Sequence, residues 1–235
     1  MSLPIKHISL DVWQTLIHSN LEFRKKRNEL LADHFNIKKP FGFVETAAKT
    51  RQAWCTQVNE LVGKNLDSFE IVLLILQDCA IEIKSISIDL YAKFYTQMET
   101  LFLEYPPLLA EQNLFSWLTQ VRQHNISVSL LSNTGLIKGE TLNKFFQRLN
   151  LNFDFALYSD EIGFSKPNPK AFDLVYQKSR TIKNLLPREI VHVGDNLNAD
   201  YAGALAVGFQ AQLIDHSENT ISSYLSKHVF NIRQT

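Results

Sequence analysis

The sequence predicts an α/β fold: a parallel sheet covered by helices on both faces, interrupted after its first strand by an all-helical block. Three observations predict it. From Leu109 onward, helix-like and strand-like patterns alternate, as they do in chains built from βαβ units. Residues 18–107, in contrast, keep helical periodicity and show no convincing strand. Ahead of both, a short apolar strand at residues 6–10 runs straight into Asp11 and Thr15. A carboxylate just past the end of a buried parallel strand faces the crevice where such sheets bind ligands.

Within the helical block, Leu21, Leu31 and Phe35 begin one apolar face, and Val72, Leu73, Leu76 and Cys79 supply another. Ile88, Tyr91, Tyr95, Met98 and Phe102 recur at spacings of three and four, and Pro106-Pro107 ends that stripe. Lys38-Lys39-Pro40, Gly42 and Gly63 mark the expected turns. Past Leu109, Leu114, Trp117, Leu118 and Val121 predict a helix and residues 126–131 a strand. Leu142, Phe145, Phe146 and Leu149 then predict a helix, residues 153–158 a strand, and Ala171, Phe172 and Val175 a further helix. Residues 190–193 and 209–214 read as strands flanking a helix from about Asn198 to Val207. There is no internal repeat and no low-complexity segment.

Composition narrows the function classes. The chain has 235 residues, enough for one large domain or a core with an insert. Lys plus Arg and Asp plus Glu both number 24, so the formal net charge is zero and a nucleic-acid surface, which needs a basic excess, is not expected. Cys55 and Cys79 have neither metal-ligand nor Cys-x-x-Cys spacing and read as reduced, packed thiols. Met1 to Leu10 has no cleavable apolar region, and the longest apolar run, 71–76, is too short to span a bilayer. The expectation is a soluble cytoplasmic protein with no membrane partner.

Four stretches carry chemistry: Asp11 with Thr15; Ser132 and Asn133 after the strand at 126–131; Gly-Phe-Ser-Lys-Pro-Asn-Pro at 163–169; and Val-His-Val-Gly-Asp-Asn-Leu-Asn-Ala-Asp at 191–200. Singly they read as a turn aspartate, a turn serine, a solvated loop lysine and an aspartate placed by a helix dipole. In this order and spacing, continuing into Ala202-Gly203-Ala204 and Gly208, they resemble the four motifs of the haloacid dehalogenase-like (HAD) hydrolase superfamily. The resemblance implies a Rossmann-like catalytic core at 1–17 and 108–235 and an α-helical cap at 18–107.

It also implies roles. Asp11 would be the nucleophile that forms a covalent ester. Ser132 would donate to an oxygen of the bound group, and Lys166 would offset the charge of Asp11 and of the transferring group. Asn168 and Pro169 read directly as a helix cap and first turn, which fixes the backbone beside that lysine. Asp11, Asp195 and Asp200 in one crevice would repel one another, and Mg²⁺ with oxygen ligands would relieve that. The family's fourth ligand is the backbone carbonyl two residues after the nucleophile, here Trp13. Thr15 and Asn133 are expected beside the substrate.

One position departs from the family's Asp-x-Asp-x-Thr: its second Asp, the general acid/base, is Trp13. Such a group is worth roughly 10²- to 10⁴-fold in rate. An alkyl phosphate should therefore turn over poorly, whereas aryl phosphates, acyl phosphates and anhydrides, which leave more readily, should suffer less. The Trp13 ring would instead close the pocket or stack on a planar substrate. Haloacid dehalogenases also lack that carboxylate, usually carrying Tyr, but generally lack the aspartate corresponding to Asp195. The expectation is thus a Mg²⁺-dependent phosphatase acting on a small phosphorylated molecule. The alternatives are a dehalogenase, or a binder of a phosphorylated ligand with little turnover. Arg51 sits on a stripe with Ala47, Trp54, Val58 and Leu61, and either pairs at the cap edge or reaches a substrate anion. The Arg24-Lys25-Lys26-Arg27 run reads as a solvated helix face.

Overall fold

The computed structural model describes residues 4–215, 217 and 219–230. The first strand, β1 (His7–Leu10), is wholly buried, and the two-residue strand β2 (Ile17–His18) follows it. Four helices come next: α1 (Leu21–His34), α2 (Phe41–Val62), α3 (Ser68–Asp78) and α4 (Ile88–Glu104). Strand β3 (Leu108–Leu109) then pairs antiparallel with β2, so the helical stretch leaves and returns through one small ribbon. The rest alternates: α5 (Leu114–Gln123), β4 (Ser127–Ser132), α6 (Gly139–Arg148), β5 (Phe155–Tyr158), the short α7 (Ser159–Ile162), α8 (Pro169–Ile182) and β6 (Ile190–Gly194). A π-helical turn at Leu197–Ala202 leads into α9 (Gly203–Ala206), followed by β7 (Gln210–Leu213) and α10 (Ile221–Leu225).

Five strands form one parallel sheet in the order β5-β4-β1-β6-β7, which is the α/β architecture that the alternation predicts. β1 is central, and its last residue, Leu10, stands opposite Leu130 of β4 and Val193 of β6. The carboxyl ends of three strands therefore meet at the residue that follows Leu10. The sheet is not purely apolar. His7 bonds Ser127 at 2.7 Å and Ser129 at 2.8 Å, and His192 bonds Ser9 at 2.9 Å, all of them buried. Burial is tolerable because each ring nitrogen on this stripe meets a hydroxyl or, as shown below, a carboxylate.

Local signals account for the helix boundaries. The Asn20 side chain accepts from Glu22 N–H to start α1, Asp67 and Glu70 form a capping box on α3, and Ser87 caps α4. Asn168 caps α8 with Pro169 in its first turn, as expected. α2 stops at Gly63, whose φ of +69° suits a residue without a Cβ. Some apolar positions differ from their expected burial: Leu21 and Ile88 are the first residues of α1 and α4 and project past the core, at 73% and 72% exposed, and Leu149, just past the end of α6, is exposed too. The helix expected from Asn198 opens as a π turn instead. Cys55 and Cys79 are buried free thiols. Among the described residues, no helix is long and apolar enough to cross a membrane.

Candidate active site

Asp11 follows β1 directly, and its backbone N–H donates to the Val193 carbonyl at 2.9 Å, so the sheet itself places it. The Lys166 ammonium, 1% exposed, donates to Asp11 Oδ1 at 2.7 Å and to Asp200 Oδ1 at 2.6 Å. Asp200 Oδ1 also meets His192 Nε2 at 3.0 Å, and Oδ2 accepts the Asn196 N–H at 2.9 Å. With His192 held neutral by burial, its Nε2–H donates to Asp200 while Nδ1 takes the Ser9 hydroxyl. Gly194 is required here: a Cβ on it would lie 2.3 Å from Asp200 Cγ.

Asp195 completes the group. One carboxylate oxygen each from Asp11, Asp195 and Asp200 lie within 4.8 Å of one another. Three carboxylates share a single ammonium, and burial together with Asp200 and Asp195 pushes the Asp11 carboxyl up to about 7 against the pull of Lys166. Burial and Asp200 raise Asp195 as well. Asp200, although burial opposes it, is held below the usual carboxylate range by Lys166 and His192. With three carboxylates against one ammonium, hard oxygen donors this close fit a small divalent cation such as Mg²⁺.

The cluster forms one wall of a cleft of about 770 Å³. Trp13 lines it, with its ring edge-on to Phe102 of α4 at 6.4 Å between centroids. The opposite wall comes from α1 and α2, including Arg27, Gln52 and Glu60. Three expected site residues stand outside the cleft lining, and a fourth, Asn133, is engaged with the backbone. Thr15 is fully buried, and its hydroxyl donates to Asp195 at 3.4 Å rather than lining the cleft. Asn133 does line it, but both ends of its amide hold the Lys166 backbone, at 2.7 and 3.0 Å. Ser132 ends β4 at 1% exposure and is not part of the cleft lining, with one loose contact to the Asn133 carbonyl at 3.4 Å. Arg51 is not brought to the cleft: it forms a two-pronged ion pair with Asp78 at 2.5 and 2.6 Å and lies 5.8 Å from the Trp54 ring. Only Ala47 of its stripe is buried; Trp54 is 44% and Leu61 86% exposed, because α2 turns Val44, Ala47, Ala48, Cys55 and Asn59 inward.

Other residues join the site without a clear sequence signal. His192 reads as an ordinary core residue until β6 sets it beneath Asp200. Glu60, near the end of α2, accepts from Asn196 Nδ2 at 3.0 Å, and burial raises its carboxyl. Arg27, inside the run read as solvated, is 7% exposed. Only a tertiary contact between helices explains that, since Arg27 falls on the α1 face that also buries Phe23, Asn28 and Leu31.

Comparison with known proteins matches residues 5–208 to the family of haloacid dehalogenase-like hydrolases. Among curated proteins, the chain is 37% identical over 67 residues to the rhythmically expressed gene 2 protein of Drosophila melanogaster, covering 28% of this chain and 25% of that protein. It is 29% identical over 102 residues to the human haloacid dehalogenase-like hydrolase domain-containing protein 3, covering 41% of this chain and 36% of that one. The matched stretches thus span about a quarter to a third of those relatives' length. Among solved structures, the Bacillus subtilis HAD-hydrolase YfnB, bound to magnesium, superposes with a TM-score of 0.66 at 19% identity, covering 90% of this chain and 89% of that one. A HAD phosphatase from Thermococcus onnurineus gives 0.61 at 16% identity, covering 90% and 86%. The L-2-haloacid dehalogenase of Xanthobacter autotrophicus gives 0.58 at 15%, covering 97% and 83%. At these identities the likeness is one of fold.

Proposed function

The chain belongs to the haloacid dehalogenase-like hydrolase family, and on that premise we propose that it is a Mg²⁺-dependent phosphatase working through Asp11. One observation carries the reading: the buried Lys166 ammonium joins Asp11 to Asp200 beside a third carboxylate, Asp195, on the wall of a cleft. Asp11, Asp195, Asp200 and the Trp13 carbonyl would hold the cation, which when bound neutralises phosphoryl oxygens and the carboxylates around them. Asp11 Oδ attacks phosphorus in line, the bond to the leaving oxygen breaks, and an aspartyl phosphate remains for water to hydrolyse. Lys166 keeps Asp11 oriented and balances the charge that builds on the transferring oxygens. Ser132, whose hydroxyl has only a loose contact, is assigned as a donor to one of them. Thr15 and Asn133 position Asp195 and Lys166 rather than touch substrate.

Because Trp13 replaces the family's acid/base, substrates with good leaving groups are favoured: aryl and acyl phosphates over alkyl phosphates. The helices α1–α4, residues 18–107, act as a cap that sheds water from the cleft when it closes. The buried free thiols suit a reducing compartment such as the cytoplasm, and the balanced charge suits a small-molecule substrate rather than a nucleic acid. The aromatic ring at Trp13 is the single observation that favours a dehalogenase instead, and the retained Asp195 weighs against it.

The test is hydrolysis of an aryl, an acyl and an alkyl phosphate side by side, with Mg²⁺ and with chelator, with Asp11→Asn as control. Mg²⁺-dependent turnover of the first two, lost in Asp11→Asn and far weaker on the third, is expected. A folded protein inactive on all three would sink the reading, and a haloacid panel would then separate a dehalogenase from a non-catalytic binder.

A further inference from the structure

Resting on that phosphoryl reading, we propose that Arg27 is the centre of a second anion subsite in the same cleft, so that the substrate carries another oxyanion, a carboxylate or phosphate, besides the group Asp11 attacks. Arg27 is 7% exposed, yet it meets no acidic side chain among the described residues. Its partners are neutral amide oxygens: Nε and Nη2 donate to Asn28 Oδ1 at 3.1 and 2.8 Å, and Nη1 to Gln52 Oε1 at 3.3 Å. These contacts use three of the five guanidinium donors and leave two without a protein acceptor among the described residues. The Phe23 ring, 6.0 Å away, closes its apolar side.

A buried charge with no counter-charge is costly, and chains normally pair or lose it. Among the cleft-lining residues of α1 and α2, cations outnumber anions: Arg24, Lys25 and Lys49 join Arg27 against Glu45 and Glu60, and none of those three cations forms an ion pair among the described residues. Burial and the nearby Arg24 push the Arg27 guanidinium down to about 10. Glu45 also lines the cleft but forms no ion pair with these cations. A guanidinium oriented by two amides, with free donors on a cleft wall, is built for the paired oxygens of a carboxylate or phosphate. Arg51 cannot serve, because Asp78 already occupies it.

The test uses phosphonates, which bind without being hydrolysed. Binding of n-butylphosphonate, 4-phosphonobutyrate and 1,4-butanebisphosphonate is measured by calorimetry with Mg²⁺ present, on the wild type, Arg27→Gln and Arg27→Lys. The two doubly anionic ligands should bind wild type at least about tenfold tighter than the butyl compound, as a charged hydrogen-bonded pair typically gives. Whichever of the two gains more identifies the second group as carboxylate or phosphate. Arg27→Gln should erase that gap while leaving the butyl affinity unchanged, and Arg27→Lys, which keeps the charge but loses the fork, should narrow it. No gap in wild type, or an intact gap in both variants, overturns the subsite. The unliganded Arg27→Gln should melt at or above the wild-type temperature; if it folds poorly, the Arg27→Lys comparison decides alone. Should no phosphonate bind, the phosphoryl reading fails. The subsite then stands or falls on whether glutarate and adipate raise the wild-type melting temperature but not that of Arg27→Lys.

Discussion

At the scale of single residues, the proposed chemistry turns on Trp13, whose ring packs edge-on against Phe102. In the proposed reading it stands where a carboxyl would shuttle a proton. Restoring that carboxyl in Trp13→Asp is expected to raise alkyl phosphate turnover relative to aryl phosphate turnover by about 10²-fold or more. The lost aromatic packing should cost about 2–3 kcal/mol, read as a lower denaturation midpoint. A ratio that does not move would show that the missing acid is not what limits alkyl substrates. His7 makes a second prediction. Burial, with a smaller contribution from Lys183, lowers its pKa from 6.5 to about 3, so between those values the unfolded chain binds a proton that the folded chain refuses. Stability is therefore complete above pH 6.5 and declines as the pH falls, by about 2 kcal/mol on going to pH 5. Urea midpoints from pH 5 to 7.5 should slope less in His7→Gln than in wild type; equal slopes would exclude His7 as the source.

At the scale of elements, the ends of β1 and β6 do the positioning. Asp200 folds back so closely over the end of β6 that Gly194 cannot carry a side chain: a Cβ would meet Asp200 atoms at 2.3 to 2.6 Å. Gly194→Ala should displace Asp200 from Lys166 and His192, costing about 1–3 kcal/mol of stability through overpacking. It should depress turnover far more than an alanine placed at Gly135, where nothing lies within 4 Å. Comparable kinetics in the two variants would mean that the backbone gives way there. In the helical block, the Asp67–Glu70 capping box starts α3. Asp67→Ala should lower stability by about 1 kcal/mol and leave kinetics unchanged, because Asp67 lies outside the cleft.

At the scale of the whole molecule, the helical block touches the loop that carries Lys166 through the end of α2. The Gly63 carbonyl accepts from Asn168 Nδ2 at 2.8 Å and from Ser165 N–H at 3.3 Å, within two residues of Lys166. Asn196 and Glu60 make a second link at 3.0 Å. Both links join the cleft's two walls, so loosening one should weaken substrate capture more than it slows the chemistry. Glu60→Gln is expected to raise KM severalfold with kcat little changed, and a fall in kcat alone would contradict this. A cation at Asp11, Asp195 and Asp200 would also be felt globally. Mg²⁺ at 100 times its Kd adds about 2.7 kcal/mol of stability. The melting temperature should rise with Mg²⁺, return with chelator, and respond much less in Asp195→Asn.

What the sequence determined by itself is the part written in local periodicity and chain order. Alternating apolar patterns demand a parallel sheet with covering helices, and the helical period of residues 18–107 leaves no strand for that sheet. The motif aspartates and Lys166 could be placed together because their order and spacing resemble the family's motifs, and the convergence of strand ends in such a sheet is the physical reason that Asp11 and Asp195 meet. Asn168 and Pro169 announced α8 because capping needs only neighbours in the chain. Tertiary structure alone decided which side of each helix is inside. α2 packs on Val44, Ala48 and Cys55, which turns Arg51 out to Asp78, while α1 turns Arg27 in. It likewise decided that Thr15 hydrogen-bonds Asp195 and Asn133 holds the Lys166 backbone, and that His192 and Glu60 belong to the site. Those outcomes depend on contacts between residues far apart in sequence, whose pairing no local pattern encodes.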